Sequence, residues 1–496
     1  MFNALLSSYP PQVSEANLKH LKELSIDWAL SHGVVIRPPA DLALANNSSV
    51  IHAPLALFPS PFPKKAFEKG LLLQPLFNLL FHRLTKDNEY IKEIMNENNC
   101  RNRLSKGDDF IEKLYNIYLT VNKEGISQPI SLSISRSDYL LHLPSGANEP
   151  KILQVEYNTI ASSFSSLSTL ATDMHRYLLK STNYFDSSSI IKNESLPQNE
   201  AMDSLVKGIA KAHELYGSQN AVVVIIIQPN ERNAFDQRWI EYKLLENYNV
   251  QMIRKTLTEI GQEGRLDPET KALHIDDKEI SVAYFRSAYG PADYLTEKDW
   301  DIRLLIERSR SIKCPTVAYQ LVGSKKIQQM LTNPGVLERY ISNESDVQNL
   351  RSCFAGHYPL DASSEGEVAA NLALKHPEDY VMKPQREGGG NNIYSTDIPK
   401  FISGLSLSER STYILMDIIQ SPLIHNFLLR QGELIEGDMI SELGIYGVFI
   451  GTSNSDFENE SIVNETAGHL LRTKPKETNE GGVASGFAVI DSPLLI

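Results

Sequence analysis

The fold class this sequence predicts is α/β, with more than one domain and a helical layer at the N-terminal end. Three observations carry it. The run A-V-V-V-I-I-I at 221–227, then a helix-like D-Q-R-W-I-E-Y-K-L-L-E-N, then V-Q-M-I, reads as a βαβ unit whose first strand is buried on both faces. Between 65 and 122 apolar residues recur at spacings near three and four, as long helices require. Stretches 131–140 and 151–158 alternate apolar with polar residues, the period of strands, across a Pro/Gly-containing turn.

The first element is a helix capped by Ser14, with Leu18, Leu21, Leu24 and Trp28 on one face and Gly33 as its stop. Prolines from Pro54 to Pro63 give an extended crossing, and two long helices follow over 65–83 and 86–122. After the strand pair, a Ser-rich loop leads to a helix over 200–216. The βαβ unit opens a separate α/β domain ending near Gly323, in which 273–275 and 280–286 form a hairpin and 297–312 a helix. Beyond 326 the pattern gives helices, a polar loop near 343–365, a hairpin over 380–394, and four or five more strands.

Composition narrows the partners. A 496-residue chain with 42% apolar residues has room for two or three domains with sizeable cores. Its formal net charge of -13 argues against nucleic acid or an anionic membrane as main partner. Cys100, Cys314 and Cys353 lie far apart with no CxxC pair, as expected of reduced cytosolic thiols rather than a zinc site or disulfide framework. The N-terminus lacks a basic targeting region and the 221–227 run is far too short to span a bilayer, so a cytoplasmic location is expected.

The chemistry concentrates in Y-V-M-K-P-Q-R-E-G-G-G-N-N-I-Y at 380–394. Three glycines let backbone N–H groups close over an anion. Around them stand the cations Lys383 and Arg386, the hard oxygen donor Glu387, and the carboxamides Asn391 and Asn392. That set suits the phosphates of a magnesium nucleotide. No GxxxxGK[ST] loop, no HRD or DFG and no GxGxxG after a first strand offers another nucleotide site.

K-P-Q-R-E-G-G-G-N-N at 383–392 resembles the glycine-rich lid of the eukaryotic glutathione synthetases, a family of ATP-grasp ligases. S-R-S-D-Y-L at 135–140, Q-V-E-Y-N-T-I at 154–160, E-R-N-A-F-D-Q at 231–237, I-S-E-L-G-I-Y-G at 440–447 and L-L-R-T-K at 470–474 resemble the same family, in its order and over nearly the whole chain. The resemblance implies an ATP-grasp body formed by 1–220 and 326–496, with 221–325 as an inserted α/β substrate-binding domain. It also implies a homodimer.

By resemblance Lys325, Lys383 and Lys474 contact ATP, together with lid residues Pro384, Gln385, Arg386, Gly388, Gly389, Gly390, Asn391, Asn392 and Tyr394. Glu156, Asn158 and Glu387 match the family's magnesium ligands, and the E-Y-N spacing puts Glu156 and Asn158 on one face of a strand. Glu442 and Glu480 are expected at the nucleotide, and Met416, Asp417, Ile418 and Ile419 at the adenine edge, although family members commonly differ after that methionine. The peptide substrate, γ-glutamylcysteine, is a small polyanion suited to arginine forks, for which Arg136, Arg286 and Arg472 are the candidates. Glu231, Arg232, Asn233, Gln237 and Tyr289 look like further peptide contacts. Ser162 and Ser163 remain at a third such place, where Ala161 replaces a common serine. Val483 and Ala484 match substrate positions in a second small-residue loop, 480–486, where Ser485 replaces a common alanine.

The implied activity is glutathione synthesis from γ-glutamylcysteine, glycine and ATP through an acyl phosphate, with Arg136, Lys383 and Arg472 as catalytic residues. Two other readings stay open. A relative using β-alanine or serine preserves these motifs. A non-catalytic ATP-binding regulator predicts a missing magnesium ligand or phosphate lysine, and none is missing.

Overall fold

A computed structural model describes residues 9–39, 48–96, 104–183, 192–453, 460–484 and 486–496. Its centre is a seven-stranded sheet in the order Ile424–Arg430, Leu55–Ala56, Val489–Asp491, Ser461–Pro475, Glu433–Thr452, Ile130–His142, Lys151–Asn158. Neighbours run antiparallel except Leu55–Ala56 beside Val489–Asp491. On one face lies the helix Lys64–Lys86, which comes close because Gly447 of the strand has no side chain. A Cβ there would fall 2.2 Å from Asn78 Oδ1 and 2.4 Å from Gln74 Nε2. The helix Glu15–Ser31 begins as expected, Ser14 Oγ accepting the Asn17 N–H at 3.2 Å, and ends before Gly33 at φ 72°.

Two smaller sheets flank the centre. In one, the parallel strands Met252–Lys255, Val222–Ile226, Lys278–Phe285 and Ile312–Cys314 continue into the antiparallel Leu273–Ile275 and Gly264–Leu266. Val222–Ile226 is buried at every residue, as an aliphatic strand between covered faces must be. The other sheet is antiparallel, ordered His357–Pro359, Ile414–Asp417, Tyr380–Lys383, Ile393–Tyr394, and contains the expected hairpin.

Five expectations need correction. The stretch 86–122 is not one helix, for the described part divides into Asn88–Asn96, Leu104–Gly107 and Asp109–Glu124, with 97–103 outside the described residues. Asp108 starts the last of these, accepting the Phe110 and Ile111 N–H groups at 3.1 and 3.2 Å. The Ser-rich loop contains the helix Ser165–Ser181, whose first N–H groups are satisfied by Asp236, about seventy residues away in sequence. The helix expected over 297–312 is Glu297–Arg308, and Ile312 already belongs to a strand. The polar loop at 343–365 holds the helix Glu344–Arg351, capped by Asn343, the strand His357–Pro359 and the start of the helix Ser364–Lys375. Six described strands, not four or five, follow the hairpin.

Cys314 and Cys353 are buried free thiols; Cys100 and the N-terminal residues 1–8 lie outside the described residues. Among the described residues no helix is long and apolar enough to cross a membrane.

Candidate active site

A cavity of about 440 Å³ is lined by strand ends of the central sheet, the hairpin of the four-stranded sheet, the loop 480–484 and residues beside the βαβ unit. Register explains the convergence. Arg136 faces Asn158 and Asp138 faces Glu156 across one strand pair, while Glu442 faces Arg472 and Ile440 faces Lys474 across another. Side chains two apart on a strand share a face, so Arg136 and Asp138 join Glu156 and Asn158 on one surface. Lys383 closes the gap between sheets, donating from Nζ to Val155 O at 2.9 Å.

The innermost group is a buried ammonium between two carboxylates. Lys325 Nζ lies 3.1 Å from Glu156 Oε2 and 3.0 Å from Glu387 Oε1. Burial alone would raise the Glu156 pKa, but Lys325, Lys383 and Arg472 override it and hold the carboxylate well below its usual range. Glu387 goes the other way, pushed up to about 7 by burial against the partial relief from Lys325. Burial would lower the Lys325 pKa, yet its two carboxylates raise it; at Lys383 burial wins, bringing it down to about 8.

This arrangement fits a divalent cation. Glu387 Oε2 is buried with no hydrogen-bond partner among the described residues. The Asn158 amide nitrogen is committed to Asp138 Oδ2 at 2.9 Å, leaving its carbonyl oxygen as the acceptor a hard cation seeks. Glu156 and Glu387 already converge on one positive charge.

A cationic wall faces this centre. Arg286 is held at one corner by Asp236, Nη2 to Oδ2 at 3.1 Å, while its buried Nε and Nη1 have no hydrogen-bond partner among the described residues. Arg136 forks onto Asp138 at 2.6 and 2.8 Å and reaches Ser163 O at 3.3 Å. Arg472 pairs with Asp138 at 2.9 Å and with Glu442, and its buried Nε has no hydrogen-bond partner among the described residues. Unmatched guanidinium N–H groups on residues that line a cavity are what an incoming carboxylate would satisfy.

Over the opening, the hairpin loop meets the loop 480–484. The Asn392 N–H points to Glu480 Oε1 at 3.4 Å, and a Cβ on Gly389 would lie 3.4 Å from Glu480 Oε2 and Gly482 N. Gly388 and Gly390 sit at φ 81° and 95°, a region side chains rarely adopt, so the backbone itself demands glycine there.

Most of the residues singled out in the sequence line the cavity; six do not, namely Pro384, Gln385, Gly390, Asn391, Arg232 and Gln237. Gln385 clips the hairpin to its surroundings, bonding Thr412 O at 2.7 Å and the Lys326 N–H at 3.0 Å. Gln237 donates to Glu231 at 2.8 Å and accepts from Arg254 at 2.7 Å, and Arg232 reaches Ala484 O at 3.5 Å from outside. Arg386 lines the cavity but pairs with Asp108. Along the expected adenine edge, the Asp417 and Ile418 N–H groups are bonded to Gly356 O and Asp379 O at 2.9 and 2.8 Å. Ser485 lies outside the described residues.

Sequence reasoning missed three groups. Asp138 and Asp236 stood inside quoted motifs, and the i, i+2 spacing of Arg136 and Asp138 was the available signal for the first. Gln228, which donates to Tyr289 at 2.9 Å and Asp293 at 2.7 Å, carried none. The apolar walls Leu140, Val155, Val381 and Ile440 read only as strand residues.

The family model described as eukaryotic glutathione synthase, ATP binding domain, matches residues 15–495. Glutathione synthetase of Dictyostelium discoideum is 41% identical over 488 residues, covering 97% of this chain and 100% of that protein. The Homo sapiens glutathione synthetase is 40% identical over 479 residues, 96% of each chain. Among solved structures, a glutathione synthetase-like effector from Globodera pallida in its apo form superposes with a TM-score of 0.76 at 22% identity, over 98% of both chains, and so shares the fold. This chain belongs to the eukaryotic glutathione synthase family.

Proposed function

We propose that this cavity is where ATP, γ-glutamylcysteine and glycine meet. The chain is an ATP-dependent ligase that makes glutathione, releasing ADP and phosphate. One observation carries the assignment of the site. Lysines suited to phosphate, paired carboxylates suited to a divalent cation and arginines suited to a peptide's carboxylates all face one space beneath a glycine-rich loop.

In this reading Lys325, Lys383 and Lys474 bind the phosphates, and Glu156, Asn158 and Glu387 hold magnesium. When bound, that ion supplies charge neutralisation to the transferring phosphoryl group. Arg136, Arg286 and Arg472 orient γ-glutamylcysteine so that its cysteinyl carboxylate oxygen attacks the γ-phosphorus of ATP, with ADP as leaving group. The glycine amine then attacks the acyl carbon; the C–N bond forms, the bond to the phosphate oxygen breaks, and phosphate leaves as the amine loses a proton. Lys383 and the two arginines Arg136 and Arg472 offset the negative charge that builds in both steps. The loops at Gly388–Gly390 and 480–484 exclude water, which would otherwise hydrolyse the acyl phosphate. Glu442, Glu480, Tyr394 and the edge Met416–Ile419 face the nucleotide.

The same reading takes 221–325 as an inserted unit, supported by a six-stranded sheet formed entirely within 222–314. It takes the protein as a cytoplasmic homodimer. The buried thiols Cys314 and Cys353 agree with a reducing compartment, although the Arabidopsis thaliana and Solanum lycopersicum relatives are named chloroplastic. Mass spectrometry of products formed from ATP, magnesium, γ-glutamylcysteine and a mixture of glycine, β-alanine and serine tests the assignment. Glutathione as the main product supports it, and a β-alanine or serine tripeptide in excess, or no tripeptide, contradicts it.

A further inference from the structure

We infer that Asp138 is the positioning residue of the peptide site: one buried carboxylate that sets the planes of both Arg136 and Arg472. The inference rests on the assignment of those arginines to γ-glutamylcysteine. Asp138 is fully buried, yet none of its bonds serves to build a turn or a cap. Its Oδ1 takes Arg136 Nε at 2.6 Å, and its Oδ2 takes Arg136 Nη2 at 2.8 Å, Arg472 Nη2 at 2.9 Å and Asn158 Nδ2 at 2.9 Å. Two guanidinium groups from different strands thus share one oxygen. Only an ionised carboxylate has the acceptor capacity and the charge to hold them side by side. At Arg472 burial and the neighbouring Arg136 both work against the charged form, and Glu442 and Asp138 override them.

The backbone opposite is shaped for this pair. Gly444 faces Asp138 across the strand pair, in ordinary extended conformation. A Cβ on it would fall 2.7 Å from Arg136 Cδ and 2.9 Å from Asp138 Oδ1. A methyl group there would displace the fork without removing a charge.

Steady-state kinetics of Asp138→Asn and Gly444→Ala, beside Arg136→Ala and Arg472→Ala, test the inference. An amide at 138 turns an N–H toward guanidinium N–H groups and leaves two buried cations with one anion fewer. The expected result is a rise in KM for γ-glutamylcysteine of about 30-fold in Asp138→Asn, by loss of a buried ion pair. A rise of about five-fold or more is expected in Gly444→Ala, with KM for glycine within about two-fold in both. A role only in stability would instead lower the thermal midpoint and the apparent kcat with every KM unchanged, and that result overturns the inference, as does an equal rise in every KM. If Asp138→Asn does not fold, Gly444→Ala decides by the same criteria because it keeps every charge. Normal KM for γ-glutamylcysteine in Arg136→Ala and Arg472→Ala would overturn the clamp itself, a separate outcome from failure of Asp138 alone.

Discussion

Replacing either Glu156 or Glu387 by glutamine keeps size and removes one charge from the centre of the cavity. At 3.1 Å, the Glu156–Lys325 attraction is about 5 kcal/mol gross at an effective dielectric near 20, and a carboxylate facing a divalent cation is worth more. After desolvation a net loss of about 3 kcal/mol is expected, which is roughly 100-fold in kcat/KM. Stability responds differently at the two positions. In Glu387→Gln the Lys325 ammonium keeps Glu156 as partner, and Glu387 Oε2 gives up no hydrogen bond, so the thermal midpoint moves by only a few degrees. In Glu156→Gln three cations lose their common anion, Lys325, Lys383 and Arg472, and the midpoint falls further. Initial rates of ADP release across a magnesium titration, with melting curves of the same preparations, measure both effects. Near-normal turnover of both variants at ordinary magnesium would refute the metal assignment. A turnover loss that follows the melting curve in step would make the pair structural.

Other consequences are as direct. Gly390→Val forces a β-branched residue into φ 95°, a strain of about 1–3 kcal/mol, and should lower turnover while raising the fraction of ATP hydrolysed without peptide formation; unchanged coupling would leave the loop a plain hairpin tip. Ala484→Leu should reduce glycine use more than ATP affinity by about 1–3 kcal/mol, read by competition between glycine and β-alanine; an unaltered acceptor profile removes Ala484 from the glycine pocket. His175 and His469 are buried and neutral, with pKa values lowered by burial to about 4 and about 3. Unfolding therefore takes up protons below pH 6.5, so their contribution is present above that pH and is lost as pH falls toward 4 and 3. His469→Leu should flatten the pH dependence of unfolding free energy between pH 4 and 6 by about 1.4 kcal/mol per pH unit, and an equal slope in urea titrations would contradict it.

The βαβ unit, the hairpin and the paired strands were legible because their signals are local: an aliphatic run, three glycines, an alternation of period two. Glu156, Asn158 and Arg136 were legible for the same reason, sitting on strand faces that the spacing alone defines. The helix Ser165–Ser181 was not. Its serines read as loop, and the group that satisfies its first N–H donors is Asp236, a contact that no window of sequence contains. The helix Glu344–Arg351 did carry a local signal, the Asn343 side chain accepting the Asp346 N–H at 3.1 Å with acidic residues in the first turn, and it was outweighed by polarity. Asp138 illustrates the remaining gap. Sequence places it on the face of Arg136, but the second guanidinium that makes it a hub arrives from a strand more than three hundred residues later.

The most direct test follows one oxygen. If ATP activates the peptide carboxylate in this cavity, γ-glutamylcysteine labelled with oxygen-18 in its cysteinyl carboxylate should transfer one labelled oxygen to the released phosphate for each glutathione formed. Label retained in the tripeptide, with unlabelled phosphate, would contradict an acyl phosphate and with it the role given to the lysines, the carboxylate pair and the arginine wall.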